Sequence, residues 1–128
     1  MHLRGSISIS PSMDYLEQAF DDAKYGEFSR HPYMDVLIPS LIDPGMAPPG
    51  QHVMSCFVQY APYNLKGGWT DAQRTAFGDT VVNTLCEYAP NLRENILHRP
   101  SSYMAHTAQN SSLHAGPAVP YPGQSARE

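Results

Sequence analysis

Residues 52–62, HVMSCFVQYAP, form a mostly hydrophobic stretch with a few polar positions, and it is the longest run in the chain with a clear strand pattern. Its valine, phenylalanine and tyrosine residues favour a pleated backbone, and Gly50 and Pro62 bound it as strand ends are bounded. A period of two divides the stretch into two faces. One face is mostly apolar and the other is mixed: the first holds His52, Met54, Cys56, Val58 and Tyr60, and the second holds Val53, Ser55, Phe57, Gln59 and Ala61. The pattern predicts a central strand with its apolar face packed on helices.

The first predicted helix covers residues 11–25. Ser10 is its expected cap, Pro11 suits the first helical position, and Gly26 is a natural stop. Helical spacing gives it an apolar stripe, which consists of Met13, Leu16, Phe20 and Ala23.

The second predicted helix begins at a capping box formed by Thr70 and Gln73 and extends to about residue 89, before Pro90. Its expected stripe consists of Ala72, Phe77, Val81, Leu85 and Tyr88.

Further short strands complete the predicted fold. Residues 6–10 alternate serine and isoleucine, and residues 33–38 form an apolar run that ends at Pro39. The loop 43–50, which contains three prolines and two glycines, would join 33–38 to 52–62 as antiparallel neighbours. Residues 91–95 suggest one helical turn, and 96–98 the start of another strand.

These elements predict an α+β fold: a small mixed or antiparallel sheet with two main helices. We expect one α+β segment over residues 1–99. Residues 100–128 are rich in proline and small polar residues, with no apolar period, so we expect a low-order or disordered tail there.

Composition narrows the possible partners and compartment. The 128 residues carry a net charge of −4, which argues against nucleic acid because such partners select clustered Lys and Arg. No apolar run reaches the roughly 20 residues of a membrane span, and no signal peptide is evident. Cys56 and Cys86 form no CxxC pair and suit buried free thiols. We therefore expect a soluble, cytoplasmic protein.

Few residues form a recognisable chemical motif. The six histidines are scattered without ligand spacing, so we expect no metal site. His52 and Cys56 share a strand face, but about 3.3 Å of rise per residue separates them by roughly 13 Å, too far for proton transfer. No glycine motif for phosphate or dinucleotide binding is present.

Acidic and aromatic residues leave alternatives open. Glu17, Asp21 and Asp22 are most simply a solvated helix face, while Asp35 interrupts an apolar strand and is expected to face outward. The aromatic residues Tyr60, Tyr63 and Trp69, near Gln59, would either line an apolar pocket with a polar group or close the edge of the core.

Four segments resemble one portion of the phytoene-desaturase-like FAD-dependent oxidoreductases. They are DYLEQAFDDAKYG (14–26), PYMDVLIPSLIDP (32–44), APPGQHVMSCFVQYAPY (47–63) and GGW with FGDTV (67–81). The resemblance extends over roughly residues 5–99 and is fairly specific around 53–63.

The resemblance implies a place in a longer enzyme. Members of that family bind FAD through an N-terminal Rossmann-type unit and a second glycine-rich motif near the C-terminus, and the resembling portion lies in the substrate domain between them. That domain is a mixed sheet with helices that shapes a cavity for an apolar or polyene-like substrate, which transfers hydride from carbon to FAD.

Both flavin motifs are missing from this sequence, so the resemblance assigns no flavin contact to it, and we expect no cofactor bound by this chain alone. Residues 100–128 do not resemble the family's continuation and read as the product of a frameshift or a truncated gene.

Two hypotheses follow. In the first, the chain is a substrate-domain piece, inactive alone, whose cavity-lining residues are Ser55, Phe57, Gln59, Tyr60 and Tyr63. In the second, it is a non-enzymatic module that binds a partner, or forms a homo-oligomer, through the exposed sheet face.

Overall fold

Four short strands form one antiparallel sheet in the computed structural model, which describes residues 2–99 and the backbone of residues 111–113. The strands lie in chain order: β1 (Ile7–Ile9), β2 (Tyr33–Leu37), β3 (Ser55–Gln59) and β4 (Ser111–Leu113). Strands β2 and β3 are antiparallel neighbours joined through the proline-rich loop, as the sequence predicts. The register pairs Met34 with Val58 and Val36 with Cys56.

Three helices accompany the sheet within the described residues: α1 (Met13–Lys24), α2 (Asp71–Tyr88) and the single turn α3 (Leu92–Asn95). Short 3-10 turns occur at His2–Arg4, Pro39–Leu41 and Pro44–Met46. The α+β fold, a small antiparallel sheet with two main helices, is therefore confirmed.

The first helix differs from its predicted boundaries and stripe. Its cap is Ser12, whose hydroxyl accepts from the Tyr15 backbone N–H, and not Ser10. Met13 and Phe20 of the predicted stripe are 74% and 52% exposed, whereas Ala19 is the buried residue. The Ser29 hydroxyl donates to the Ala19 carbonyl, so α1 approaches the segment around Ser29 closely at this point. The close approach favours a small side chain, which is why the buried residue is Ala19. The predicted stop is correct, since Gly26 has a positive φ of 82°.

The structure confirms most of what the sequence predicts for the second helix, α2. Thr70 is the N-cap and accepts from the Gln73 N–H at 3.2 Å. Phe77, Val81 and Leu85 are buried against the sheet, but Tyr88 is 56% exposed and Ala72 is exposed as well. The predicted stripe was therefore too long at both ends, because the sheet is shorter than the helix that crosses it.

One prediction near the C-terminal end needs correction. Residues 96–98 form no strand, although the predicted turn before them is present as α3. Beyond residue 99 the structure describes a short strand, Ser111–Leu113, which pairs with β3. The expectation of a low-order tail over residues 100–128 otherwise lies outside the described residues and stays a prediction.

The core lies between α2 and one face of the sheet. Its buried cluster contains Ile9, Met34, Val36, Cys56, Val58, Phe77, Val81 and Leu85. Both the sheet and α2 contribute large apolar side chains to this cluster. Most of the stabilisation from apolar burial therefore comes from the sheet face that packs on α2, which we call the helix side.

Candidate functional site

The sheet face that points away from α2 carries the candidate site predicted on β3. Because side chains alternate along a strand, this outer face consists of the residues between the buried ones: Tyr33, Asp35, Leu37, Ser55, Phe57 and Gln59. The register places Asp35 opposite Phe57 and Tyr33 opposite Gln59. The strands thus bring Ser55, Phe57 and Gln59 together with polar groups of β2.

A hydrogen-bonded pair gives the outer face its polar centre. The Tyr33 hydroxyl donates to Asp35 Oδ2 at 2.5 Å. This hydrogen bond raises the pKa of Tyr33, although a hydrogen bond with Ser8 opposes the shift. Asp35 therefore faces outward, as expected, and Tyr33 stays protonated as a hydrogen-bonding phenol. Phe57 of the neighbouring strand β3 is paired directly opposite Asp35 in the register.

Tyr60, the residue directly after β3, is held by contacts with α1 and with the loop after it. Its ring meets Phe20 of α1 edge-on, with the ring centroids 5.4 Å apart. Its backbone is held by Ser29: the Tyr60 N–H donates to Ser29 Oγ at 3.0 Å, and the Ser29 N–H donates to the Tyr60 carbonyl at 3.0 Å. Ser29 is fully buried and its hydroxyl also contacts the Ala19 carbonyl of α1, so Ser29 links the end of β3 to α1.

The other two aromatic residues near the end of β3 separate. Trp69 joins the core, stacked on Phe28 at 6.2 Å and edge-on to Phe77 at 5.9 Å, while its indole N–H donates to the Pro62 carbonyl. Tyr63 is 69% exposed. Trp69 therefore closes the core edge, and Tyr60, Tyr63 and Trp69 do not converge on one pocket.

Cys56 lies on the helix side and is only 3% exposed. Burial raises the pKa of its thiol to about 12, so the thiol stays protonated and is a weak nucleophile at neutral pH. His52 instead pairs with Ser40, with Nδ1 3.1 Å from Oγ.

Two adjoining cavities open on the helix side of the sheet. One, of about 510 Å³, lies between β1 and the C-terminal part of α2, and the other, of about 860 Å³, lies beside the loop 46–53 and residues 94–99. Both are lined by the same five apolar residues, so they form one helix-side groove: Leu3, Ile38, Met54, Leu85 and Leu92. None of the five predicted cavity residues lines either cavity.

Cofactor and membrane features were also sought. Among the side chains that the structure describes in residues 3–99, no three His, Cys, Asp or Glu residues lie close enough together to hold a metal ion. None of the helices in the described part of the chain is long and apolar enough to span a membrane.

Sequence reasoning missed two parts of this arrangement. The first is the Tyr33–Asp35 pair, although the two residues are two apart on a strand and must share a face. The second is the helix-side groove, which is assembled from five separate segments and leaves no local pattern in the sequence.

Comparison with known proteins gives a partial match. The mouse protein called pyridine nucleotide-disulfide oxidoreductase domain-containing protein 2 is 44% identical over 86 residues, which is 66% of this chain and 15% of the mouse protein. The rat protein of the same name is 43% identical over 86 residues. No family model matches, and neither does any solved structure. The chain thus covers about 15% of the length of these curated relatives and shows partial homology to an oxidoreductase domain-containing protein.

Proposed function

We propose that this chain is a segment of the substrate-binding domain of an FAD-dependent oxidoreductase of the phytoene-desaturase-like type. The observation that carries the proposal is the 44% identity over 86 residues to a protein named for an oxidoreductase domain. In the longer proteins of that type, hydride leaves a substrate carbon and is accepted by FAD. The chain contributes the wall that positions substrate, and it is catalytically silent alone because the flavin carries the hydride chemistry.

The outer face supplies that wall. Phe57 offers an apolar ring, and the Tyr33–Asp35 pair lies beside it across the register. The outer face thus combines two apolar side chains, Leu37 and Phe57, with fixed polar groups, and polar groups held in place beside apolar side chains can fix the orientation of a bound molecule. Ser55 and Gln59 extend the wall along β3, while Tyr60 and Tyr63 lie at its end. FAD-binding groups are assigned to no residue of this chain.

A chimera tests the proposal. The matched 86-residue segment of the mouse protein is replaced by the corresponding segment of this chain. Bound flavin is quantified by absorbance, and the reoxidation rate of the reduced flavin is measured. Phe57→Ala should leave flavin content unchanged but change the reoxidation rate, because it opens the wall over the flavin. The matched control is Tyr25→Ala, at an aromatic residue at the C-terminal end of α1 that is 67% exposed.

Equal reoxidation rates for Phe57→Ala, Tyr25→Ala and the unsubstituted chimera would overturn the assignment of the outer face as the wall. A flavin-free chimera with a native circular dichroism spectrum would overturn the placement of this segment in such an enzyme.

A second candidate function is a non-enzymatic interaction module. It is favoured by Leu37, which is 46% exposed on the outer face, and by the three-residue edge strand β1. In this function the outer face pairs with a second copy or a partner. Sedimentation velocity over a range of concentrations should then show association that Phe57→Glu abolishes. A monomer at every concentration would contradict self-association.

A further inference from the structure

Asp35 places a carboxylate in the middle of the outer face, between apolar side chains. We propose that the outer face binds an organic ammonium ion, with the charged end of the ligand on Asp35 and its apolar part on Phe57 and Leu37. This inference rests on the proposed substrate wall and names the class of molecule that the wall takes. It differs from the apolar or polyene-like substrate that the resemblance implies.

The charge of Asp35 is not balanced by a cation within the described part of the chain. Two carboxylates there are half-buried, Asp22 and Asp35, and the other described Asp and Glu residues are exposed. Asp22 lies 3.2 Å from the Arg30 guanidinium, whereas none of the four ion pairs among the described residues includes Asp35. A half-buried charge has lost part of its hydration, so an opposite charge beside it is stabilising. Asp35 is therefore the carboxylate that gains most from a bound cation.

Tyr33 holds this carboxylate in place before a ligand arrives. Its hydroxyl donates to Asp35 Oδ2 at 2.5 Å, and the same hydroxyl hydrogen-bonds with Ser8 of β1. An acceptor that is already fixed loses little conformational freedom on binding, which favours affinity. Because Tyr33 engages Oδ2, a donor that needs only one carboxylate oxygen suits the site. An ammonium group is such a donor, whereas a planar guanidinium makes its strongest contact with both oxygens.

The apolar neighbours of Asp35 favour an organic cation over a metal ion. Phe57 is half-buried and paired opposite Asp35, and Leu37, two residues along β2 on the same face, is 46% exposed. An aromatic ring attracts a cation placed over its face, and both side chains offer apolar contact to the rest of a ligand. Calcium takes roughly six to eight oxygen ligands, and no group of three ligating side chains exists among the described residues.

Phenethylamine, which is protonated at neutral pH, is the probe for this site. Phenethyl alcohol and hydrocinnamate are its neutral and anionic analogues, with the same aromatic body. Dissociation constants are measured from the amide chemical shifts of the isotope-labelled intact chain in NMR titrations. The amine should bind at least about fivefold more tightly than the alcohol, because a charge-assisted hydrogen bond is stronger than a neutral one, and hydrocinnamate should bind least. The largest shifts should occur in β2 and β3.

Variants locate the ammonium site. Asp35→Asn should remove the preference for the amine, so that the amine and the alcohol bind within about twofold of each other. The matched control is Asp21→Asn, which removes the same charge from an exposed residue of α1 and should leave the preference unchanged. Phe57→Leu keeps an apolar side chain but removes the ring, and it should weaken amine binding by about twofold to fivefold.

Equal affinity of the wild-type chain for the amine and the alcohol, or no binding of either, would overturn the proposal. A preference that persists in Asp35→Asn would overturn it as well, because the net charge of −4 would then attract the amine without this carboxylate. These results are separate from the flavin chimera. If Phe57→Ala leaves the reoxidation rate of the chimera unchanged while the amine preference depends on Asp35, the ammonium site stands and the oxidoreductase role fails.

Discussion

The two faces of the same two strands have different environments. On the helix side, Met34, Val36, Cys56 and Val58 are at most 3% exposed, whereas Leu37 on the outer face is 46% exposed. On the helix side α2 packs against the strands, and the outer face keeps a hydrogen-bonded Tyr33–Asp35 pair beside Phe57. A shift of one residue in register would exchange the two sets. The alternation in β2 and β3 therefore specifies both the packing side and the candidate binding side.

The largest contrast is expected from truncation of apolar side chains on β2. Met34→Ala removes a residue that is 0% exposed and should lower the free energy of unfolding by about 2–5 kcal/mol, through lost burial and a residual cavity. Leu37→Ala on the outer face is the matched control and should cost under about 1 kcal/mol. Urea unfolding measures both. Equal losses would mean that another surface covers the outer face of the isolated chain.

Removal of the hydroxyl that joins α1 to the end of β3 should have the next largest effect. Ser29→Ala deletes the donor to the Ala19 carbonyl and the acceptor of the Tyr60 N–H. Because Ser29 is fully buried, groups left unpaired there should cost about 1–3 kcal/mol in urea unfolding. The control, Ser6→Ala at an exposed residue, should change stability by under about 0.5 kcal/mol. A neutral Ser29→Ala would show that water or a shifted loop replaces the hydroxyl.

The helix-side thiol should make stability fall at high pH. Burial raises the pKa of the Cys56 thiol from 9.0 to about 12. Below pH 9 the thiol is protonated in both the folded and the unfolded chain, so the protein keeps its full stability there. Above that pH the unfolded chain ionises first, and stability is lost by about 1.4 kcal/mol per pH unit towards the folded pKa. Cys56→Val should remove this part of the pH dependence in urea unfolding. Burial, followed by the charges of Tyr88 and Glu87, raises the pKa of Tyr15 to about 12. Tyr15 therefore adds its own loss of stability at high pH, and this loss is the same in the wild type and in Cys56→Val.

A thiol reagent compares the two faces at adjacent residues. In a Cys86→Ser background, Cys56 should resist labelling at pH 8 while the protein is folded. Ser55→Cys places a thiol on the outer face and should label far faster, because Ser55 is half-buried and faces away from α2. Fast labelling of Cys56 in the folded state would contradict its burial under α2.

The smallest expected effect concerns the polar pair of the outer face. Tyr33→Phe removes an accessible hydrogen bond and should change unfolding free energy by under about 1 kcal/mol. Asp35→Asn should lower the pKa of Tyr33, because the hydrogen bond to the Asp35 carboxylate is the largest cause that raises it. A pH titration of the Tyr33 ring resonances by NMR measures the shift. An unchanged pKa would mean that the pair does not form in solution.

Local patterns in the sequence predicted much of the fold. The strand at Ser55–Gln59, its antiparallel pairing with Tyr33–Leu37 and the Thr70 cap all rest on periodicity or on interactions a few residues apart. The stripe of α1 was wrong because burial there depends on a close approach to Ser29 that periodicity cannot express. The pairing of Ser111–Leu113 with β3 was likewise missed, since a strand edge can recruit a segment with little strand character of its own.

The candidate site was partly predictable. The faces of Ser55, Phe57 and Gln59 follow from a period of two, but the position of Tyr60 depends on its contacts with Ser29 and Phe20, which are distant in sequence. The Ser40–His52 contact and the helix-side groove arise from the folding of the proline-rich loop over the core. Such sites need the tertiary structure because no single segment contains them.

The most direct test of the proposed role is the visible absorbance spectrum of the purified chain after incubation with excess FAD and desalting. We predict a colourless protein, because the proposed function gives this chain a substrate wall and assigns it no flavin-binding group. Retention of one FAD per chain, or per oligomer, would contradict it and would show that this chain forms a flavin site of its own.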